Sequence, residues 1–344
     1  MDSEDVLICL GHDEDFLGRG GAVLSGAYFG DKVSPLSDST NICAIGAKAD
    51  LYKHIRNMLY TAVPSFVVAV IVYTVAGFVF DTQSAAGGDA ANELTRQVTM
   101  AFRVSFLTLL PVVVVIAGIV TKVPPVLAMT ASSIVALILG VILHGFSIES
   151  ALNAAVNGFK MDMLASAGHD PAAYGDAFSK LVNRGGLYSM INAFLVIISA
   201  FMLAAALDVS GALTKIVASM LAGARSTFGL IGAAMSAGVV MIGLTSHGGV
   251  TALVVGDLFQ RAFRERNLAP ENLSRSMEDS VTIVEPLMPW TVSAIYMSTT
   301  LQVATPAYLP WAVFCYGGPF FSLLYAATFD RTGFGLKRLD PKDG

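Results

Sequence analysis

Residues 26–41 read Gly26-Ala27-Tyr28-Phe29-Gly30-Asp31-Lys32-Val33-Ser34-Pro35-Leu36-Ser37-Asp38-Ser39-Thr40-Asn41. Glycine, proline and hydrogen-bonding side chains crowd a window that is apolar on both sides. Gly30 and Pro35 can unwind a helix. Unwinding frees main-chain carbonyls, and inside a bilayer such groups persist only within protein or around a wet cavity. Carbonyl, hydroxyl and carboxylate oxygens together suit a small, hard cation. On an unbroken helix Asp31 and Asp38 lie two turns apart and share a face, with Lys32 as their counter-charge. A surface loop of Ser, Asp and Asn turns is the competing reading, and the apolar flanks weigh against it.

Outward from this stretch, 54% of the 344 residues are hydrophobic and 14% are charged, whereas a soluble domain carries about 25% charged residues. A helix crosses a bilayer with ~20 consecutive apolar residues. Such windows occupy 58–80, 103–121, 124–143, 187–207, 227–244 and 309–329, with a shorter one at 250–263 and interrupted ones at 21–47 and 281–301. Pro111 should kink the 103–121 span, which should pair with 124–143 as a tight hairpin. The stretch 146–186 is polar and mixed, and reads as extramembrane. The expected fold is all-α: a polytopic transmembrane bundle over 21–330, after an atypical acidic segment, 1–20, and before a cytoplasmic tail, 331–344.

A net charge of -5 without a basic patch gives no footprint for nucleic acid. Cys9, Cys43 and Cys315 are odd in number and far apart, which fits neither a disulfide framework nor a metal site. No Walker-type glycine loop is present, and no cofactor is expected. With the 48–56 loop in the cytoplasm and every span counted as a crossing, 250–263 included, fourteen Lys and Arg fall inside and five outside. Residues 21–47 then run inward and 281–301 outward. Broken helices near 26–41 and 278–301, opposite in direction, describe inverted repeats of a transporter, multi-pass in the cell inner (plasma) membrane.

The second broken segment begins Glu278-Asp279-Ser280-Val281-Thr282-Ile283-Val284-Glu285-Pro286-Leu287-Met288-Pro289-Trp290. Glu285, inside an apolar run, is a functional candidate because intramembrane carboxylates are costly to keep. Glu278 and Asp279 could instead cap a helix start. A third polar cluster runs Thr245-Ser246-His247-Gly248-Gly249-Val250-Thr251, with the double glycine expected between two half-helices. His247 is a candidate pH-sensing residue. His54, in a basic loop, and His144, at a helix end, read as structural. Ser246, His247 and Asp257 offer the residue types of a hydrolase triad, but neighbours in sequence do not face each other on a helix.

Together these blocks resemble the NhaC-type sodium/proton antiporter family. The resemblance rests on Gly-Asp-Lys-x-Ser-Pro-Leu-Ser-Asp-x-Thr-Asn at 30–41, and on 266–275 followed by Glu278-Asp279-Ser280 and Pro286-Leu287-x-Pro289-Trp290. Tyr308-Leu309-Pro310-Trp311-Ala312 is also similar, and the likeness extends over 21–330. It implies a transporter rather than an enzyme, with inverted repeats in the lipid bilayer, exchanging cytoplasmic sodium ions for external protons. A homodimer is an allowed assembly. Asp31, Ser34, Ser37, Asp38, Thr40 and Asn41 match the first motif, and Asp279, Ser280 and Pro286 the second. With Glu285, the polar residues among these form the expected ion-binding set: Asp38 first, Asp31 next and Asp279 as the opposing carboxylate. Val284-Glu285 stands where the family usually has Thr-Ser, and Ser246-His247-Gly248-Gly249 replaces another polar motif. Family members carry further spans before the first motif, so the chain is expected to be N-terminally truncated. Two alternatives accompany this reading: a sodium/proton-coupled antiporter of organic acids of the malate/lactate type, and an inactive truncated membrane paralogue. For the first, a helix N-terminus near Ser34 or Glu285 could receive a carboxylate.

The charge bias makes a topological prediction. A cysteine introduced by Arg264→Cys should stay unlabelled when a membrane-impermeant maleimide is added outside intact cells, and should label once the membrane is opened. Labelling from outside would reverse the assigned orientation.

Overall fold

The computed structural model describes residues 14–79, 86–121, 123–301 and 303–339. Among these the regular secondary structure is helical, without a β-strand, as expected of an all-α transmembrane bundle. The chain divides at 82/83 and 194/195 into two compact units.

Helix α1 (Glu14–Val33) ends where Pro35 removes a main-chain donor, and α2 (Asp38–Ala47) restarts after it. Ser37 caps α2, its Oγ accepting from the Thr40 N–H. Gly30 lies inside α1 and does not unwind it; the break belongs to 34–37 alone. Helix α1 is described from Glu14, within the stretch 1–20 read as an acidic segment. The rest of the acidic segment, 1–13 with Cys9, lies outside the described residues.

Helix α3 (Leu51–Val79) is polar inside and apolar outside. It buries His54, Asn57, Thr61 and Ser65 completely, and exposes Val63, Phe66, Val67, Val70 and Ile71. A helix facing water has the opposite arrangement, and an apolar belt of this kind requires lipid. His54 therefore sits in a helix, against the core, and not in the expected basic loop.

The second unit contains α4 (Ala86–Ala101), a 3₁₀ turn (Phe106–Leu109) running into α5 (Leu110–Val120), and α6 (Pro125–His144). Asn92–Ala101 and Phe106–Val120 meet at 93°. The bend falls at 102–105, so Pro111, in the first turn of α5, does not make the expected kink. The α5–α6 hairpin forms as the sequence suggests. A Cβ on Gly118 would stand 2.6 Å from the Ala128 Cβ, and Ser132 Oγ donates to the Pro111 carbonyl at 2.8 Å. Short helices α7 (Ile148–Asn157) and α8 (Asp176–Val182) close this unit over Phe146, Leu164 and Phe178.

Next come α9 (Ile191–Val209), α10 (Ala212–Ala222), α11 (Thr227–Thr245) and α12 (Gly248–Glu265). The hydropathy windows did not indicate α10. Then α13 (Pro270–Met277) passes into a π-helical turn (Glu278–Thr282) and a 3₁₀ turn (Glu285–Leu287) before α14 (Val292–Leu301). Glu278 and Asp279 thus follow the end of a helix and do not cap the start of one. Finally α15 (Thr305–Tyr308) precedes α16 (Val313–Thr332). Among the described residues four helices are long and apolar enough to cross a membrane, or six if each of two bent pairs is one span. Arg275, one of the fourteen Lys and Arg assigned to the cytoplasmic side, is fully buried. The stretch 333–339 is docked rather than loose: Leu339 N–H donates to the Asn267 carbonyl at 3.0 Å and Lys337 N–H to Asn272 Oδ1 at 3.0 Å. The remainder of the expected tail, 340–344, lies outside the described residues.

Helices α2 and α12 touch backbone to backbone. A Cβ on Gly256 would come within 2.5 Å of the Gly46 main chain, and one on Gly46 within 2.7 Å of the Ala252 carbonyl. Small residues that let backbones approach are the usual means of helix association in lipid. Gly256→Val should therefore lower stability by about 1–3 kcal/mol, the usual cost of overpacking, read as a lower thermal midpoint in detergent. Gly232→Ala, at a position with open space, should leave the midpoint unchanged.

Candidate ion-binding site

Three helices begin around one cavity of about 400 Å³: α2 at Asp38, α12 at Gly248 and α14 at Val292. Asp31, Asp38, Glu285 and His247, singled out separately in the sequence, all line it. Both broken segments therefore contribute carboxylates to the same space.

Each carboxylate is placed by the start of a helix. Asp38 is the first residue of α2, and its Oδ1 accepts from the Ser39 N–H at 2.9 Å. Ser39, one residue on, donates its hydroxyl to Asp31 Oδ2 at 2.9 Å, holding the last turn of α1 to the first turn of α2. Glu285 Oε1 accepts from the Ser293 N–H at 3.4 Å. The other Glu285 oxygen would stand 2.7 Å from a Cβ on Gly248, so a side chain there would push the carboxylate aside. Glu285 thus lies between the N-termini of α12 and α14, where N–H groups and the helix dipole favour an anion.

His247 occupies the cap of α12. The break is at Ser246, in the left-handed region at φ 60°, and at extended His247; Gly248 and Gly249 are already helical. His247 Nδ1 accepts from the Gly249 N–H at 3.1 Å, so this nitrogen is unprotonated in the capped state. Its ring lies 4.6 Å from that of Phe201.

The other expected ligands have different tasks. Asn41 donates its amide to the carbonyls of Pro35 at 3.0 Å and Ser37 at 2.6 Å. Ser34 Oγ accepts from the Leu36 N–H at 3.2 Å, and Thr40 Oγ1 donates to the Asp31 carbonyl at 3.3 Å. Ser34, Ser37, Thr40 and Asn41 therefore satisfy the main chain laid open by the break and do not line the cavity. Ser280, fully enclosed, donates to the Ser276 carbonyl at 2.7 Å. Tyr28, Thr282, Ser293 and Tyr296, absent from the expected set, do line it. Helical spacing carried a signal for two of them: Tyr28 is three residues before Asp31, and Tyr296 three after Ser293.

Lys32 does not neutralise Asp31 and Asp38. It turns away from the cavity to form a fully buried ion pair with Asp279 Oδ1. Thr61 joins the pair, accepting from Lys32 Nζ at 3.2 Å and donating to Asp279 Oδ1 at 3.2 Å. A Cβ on Gly318 would reach within 2.9 Å of Asp279 Oδ1, so α16 approaches the pair through a glycine. Asp279 is thus a partner of Lys32 beside the cavity rather than a carboxylate opposing Asp38 across it.

A cavity with three carboxylates, hydroxyls and, among the described residues, no lysine or arginine on its wall offers hard oxygen donors to a cation. The sequence profile of the Na+/H+ antiporter family matches residues 26–328. The chain belongs to the Na+/H+ antiporter family. Within this family it is 40% identical over 332 residues to an uncharacterized Na(+)/H(+) antiporter of Haemophilus influenzae, covering 96% of this chain and 69% of that protein. It is 30% identical to the Na(+)/H(+) antiporter NhaC of Alkalihalophilus pseudofirmus, over 89% of this chain and 63% of the relative. Similarity at 30% extends to a malate-2H(+)/Na(+)-lactate antiporter of Bacillus subtilis, over 85% and 60%. The chain therefore spans from 60% to 69% of the length of these relatives. No solved structure matches. The antiporter family, its apolar helices and the inverted amphipathicity of α3 make this a membrane protein.

Breaking the Lys32–Asp279 pair should be severe. Lys32→Met leaves a buried carboxylate unpaired and should cost roughly 3–5 kcal/mol, whereas adding Asp279→Leu should recover most of it. Thermal midpoints of the single and double variants in detergent measure both values. Equal midpoints for the single variant and the parent would show that the pair contributes nothing.

Proposed function

We propose that this protein is a secondary antiporter that exchanges sodium ions for protons across the cell inner membrane, as a multi-pass bundle of inverted repeats. The observation that carries this reading is the convergence of Asp31, Asp38 and Glu285, from two discontinuous spans, on one cavity. Sodium ions and protons compete there: a carboxylate that holds a proton presents one fewer anionic oxygen to a metal ion. Competition at a site that opens alternately to either face converts a gradient of one ion into movement of the other. Asp38 is the first candidate for the shared site. It is exposed to the cavity and stands beside Ser39 and Asp31.

Asp38→Asn keeps the shape of the side chain and removes its titration. In proteoliposomes it should reduce sodium-driven proton movement by at least about tenfold, the scale of a lost charged ligand, while the thermal midpoint stays at the parent value. Unchanged exchange would move the shared site to Glu285, tested in the same way with Glu285→Gln.

The malate/lactate relative supports a second reading, in which an organic acid moves with the ions. The N-termini of α12 and α14 are the places where its carboxylate would be received. Lactate-dependent sodium movement separates the two, since simple sodium/proton exchange does not respond to lactate.

A further inference from the structure

Behind the cavity lies a carboxyl group that the exchange described above does not use. Glu278 opens the π-helical turn Glu278–Thr282 and is fully buried. Among the described residues neither of its carboxyl oxygens has a donor in full hydrogen-bond geometry, the Thr282 hydroxyl being a distant partner. The charged and titratable groups that face it are Asp31 and Lys32 from α1, Cys43 from α2, and Asp279 from its own turn. Thr282 also lies beside it. Lys32, the ammonium among these, is already engaged by Asp279. Arg275, one turn earlier, points its Nη1 to the Gly335 carbonyl at 2.6 Å and to Asn57 Oδ1 at 3.2 Å, and forms no ion pair with Glu278. Asp279 therefore has the Lys32 ammonium in contact and the buried Arg275 guanidinium acting on it, while no cation is paired with Glu278. An ionised carboxylate buried without a partner is strongly disfavoured. Charge balance in this packed turn is met when Lys32 neutralises Asp279 and a proton neutralises Glu278.

We infer that Glu278 is a second proton-binding site, separate from the cavity carboxylates, and that sodium entry displaces its proton in addition to the one it competes for there. Cys43 and Thr282, which neighbour Glu278, form part of the cavity wall. A sodium ion in the cavity thus lies one layer of side chains from Glu278. Positive charge at that distance favours the ionised carboxyl, so sodium entry and proton retention oppose each other without sharing a ligand. The step is a simple dissociation: the O–H bond of the Glu278 acid breaks, its electrons stay on the carboxylate, and the proton passes to cavity water. A π-helical turn, with its irregular ladder, recurs at functional positions in helices, and here it places the acid at the junction of α13 and the broken stretch. This inference rests on the antiport reading for its direction of coupling, but not for the presence of the proton.

The test uses the full chain in proteoliposomes. Glu278→Gln reproduces the neutral acid and cannot release a proton. Exchange of radiolabelled sodium at equal sodium concentrations should stay within about threefold of the parent, while sodium-driven proton movement falls to about half, the cavity carboxylate still exchanging its own proton; Glu278→Asp should restore part of the loss. Infrared spectra supply a reading independent of transport. The carbonyl stretch of a protonated acid should be present in the sodium-free parent, shift in Glu278→Asp, vanish in Glu278→Gln and weaken when sodium is added. Parent-like proton movement in Glu278→Gln, or an acid band untouched by both substitutions, would overturn the inference. Should Glu278→Gln not fold, the band shift in Glu278→Asp decides. If the parent moves no protons with sodium yet the band behaves as described, antiport fails and the proton site stands.

Discussion

The buried pair of Lys32 and Asp279 connects two broken segments that lie 247 residues apart in sequence. It joins the last turn of α1 to the π-helical turn after α13, with Thr61 of α3 bonded to both partners. A charge pair in such a place needs neighbours that approach closely and admit no gap. Gly318 supplies one, bringing α16 against Asp279. Because Lys32 is committed inward, the cavity on the other side of α1 is left with carboxylates and no cation of its own. One pairing thus fixes the relation of the two broken segments and sets the sign of the site.

Around that pair the bundle is polar inside and apolar outside. The stripe His54, Asn57, Thr61 and Ser65 on α3 faces a set on α13 and its π turn that is equally buried: Asn272, Ser274, Arg275 and Asp279. Their bonds are specific, with Ser274 Oγ 2.7 Å from His54 Nδ1 and the Asn57 amide donating to the Glu271 carbonyl at 2.8 Å. In lipid the apolar exterior provides no force between helices, so close backbone contact and interior hydrogen bonds hold them. The glycines at 46, 238, 256 and 318 and the buried polar residues are two halves of this one solution.

The broken helices obey the same constraint. A break inside a membrane exposes main-chain groups, and each break here carries its own side chains to bond them: Ser34, Ser37 and Asn41 in the first, Thr291 in the second, where its Oγ1 donates to the Glu285 carbonyl at 2.6 Å. Helix starts released by the breaks then point at the cavity. Their N–H groups hold Asp38 and Glu285, and the Ser39 hydroxyl holds Asp31, so the arrangement that satisfies the backbone also builds the site.

The sequence by itself determined the membrane class, the helical fold and the two interrupted segments, because apolar runs of spanning length have few alternative explanations, and it singled out Asp31, Asp38, Glu285 and His247, which line one cavity. It also determined that Pro35 interrupts the first segment, since a missing N–H is a local property. Only the tertiary structure decided the partners. Lys32 adjoins Asp31 in sequence, yet successive side chains diverge around a helix and Lys32 meets Asp279 instead. Ser34, Ser37, Thr40 and Asn41 looked like ion ligands and proved to serve the backbone, because composition does not show which oxygen faces a cavity and which closes a turn. Glu278 looked like a helix cap and became a buried acid without a paired cation. Its place depends on a π-helical turn that no hydrophobic period announces, and on the one nearby ammonium being already bound to its neighbour.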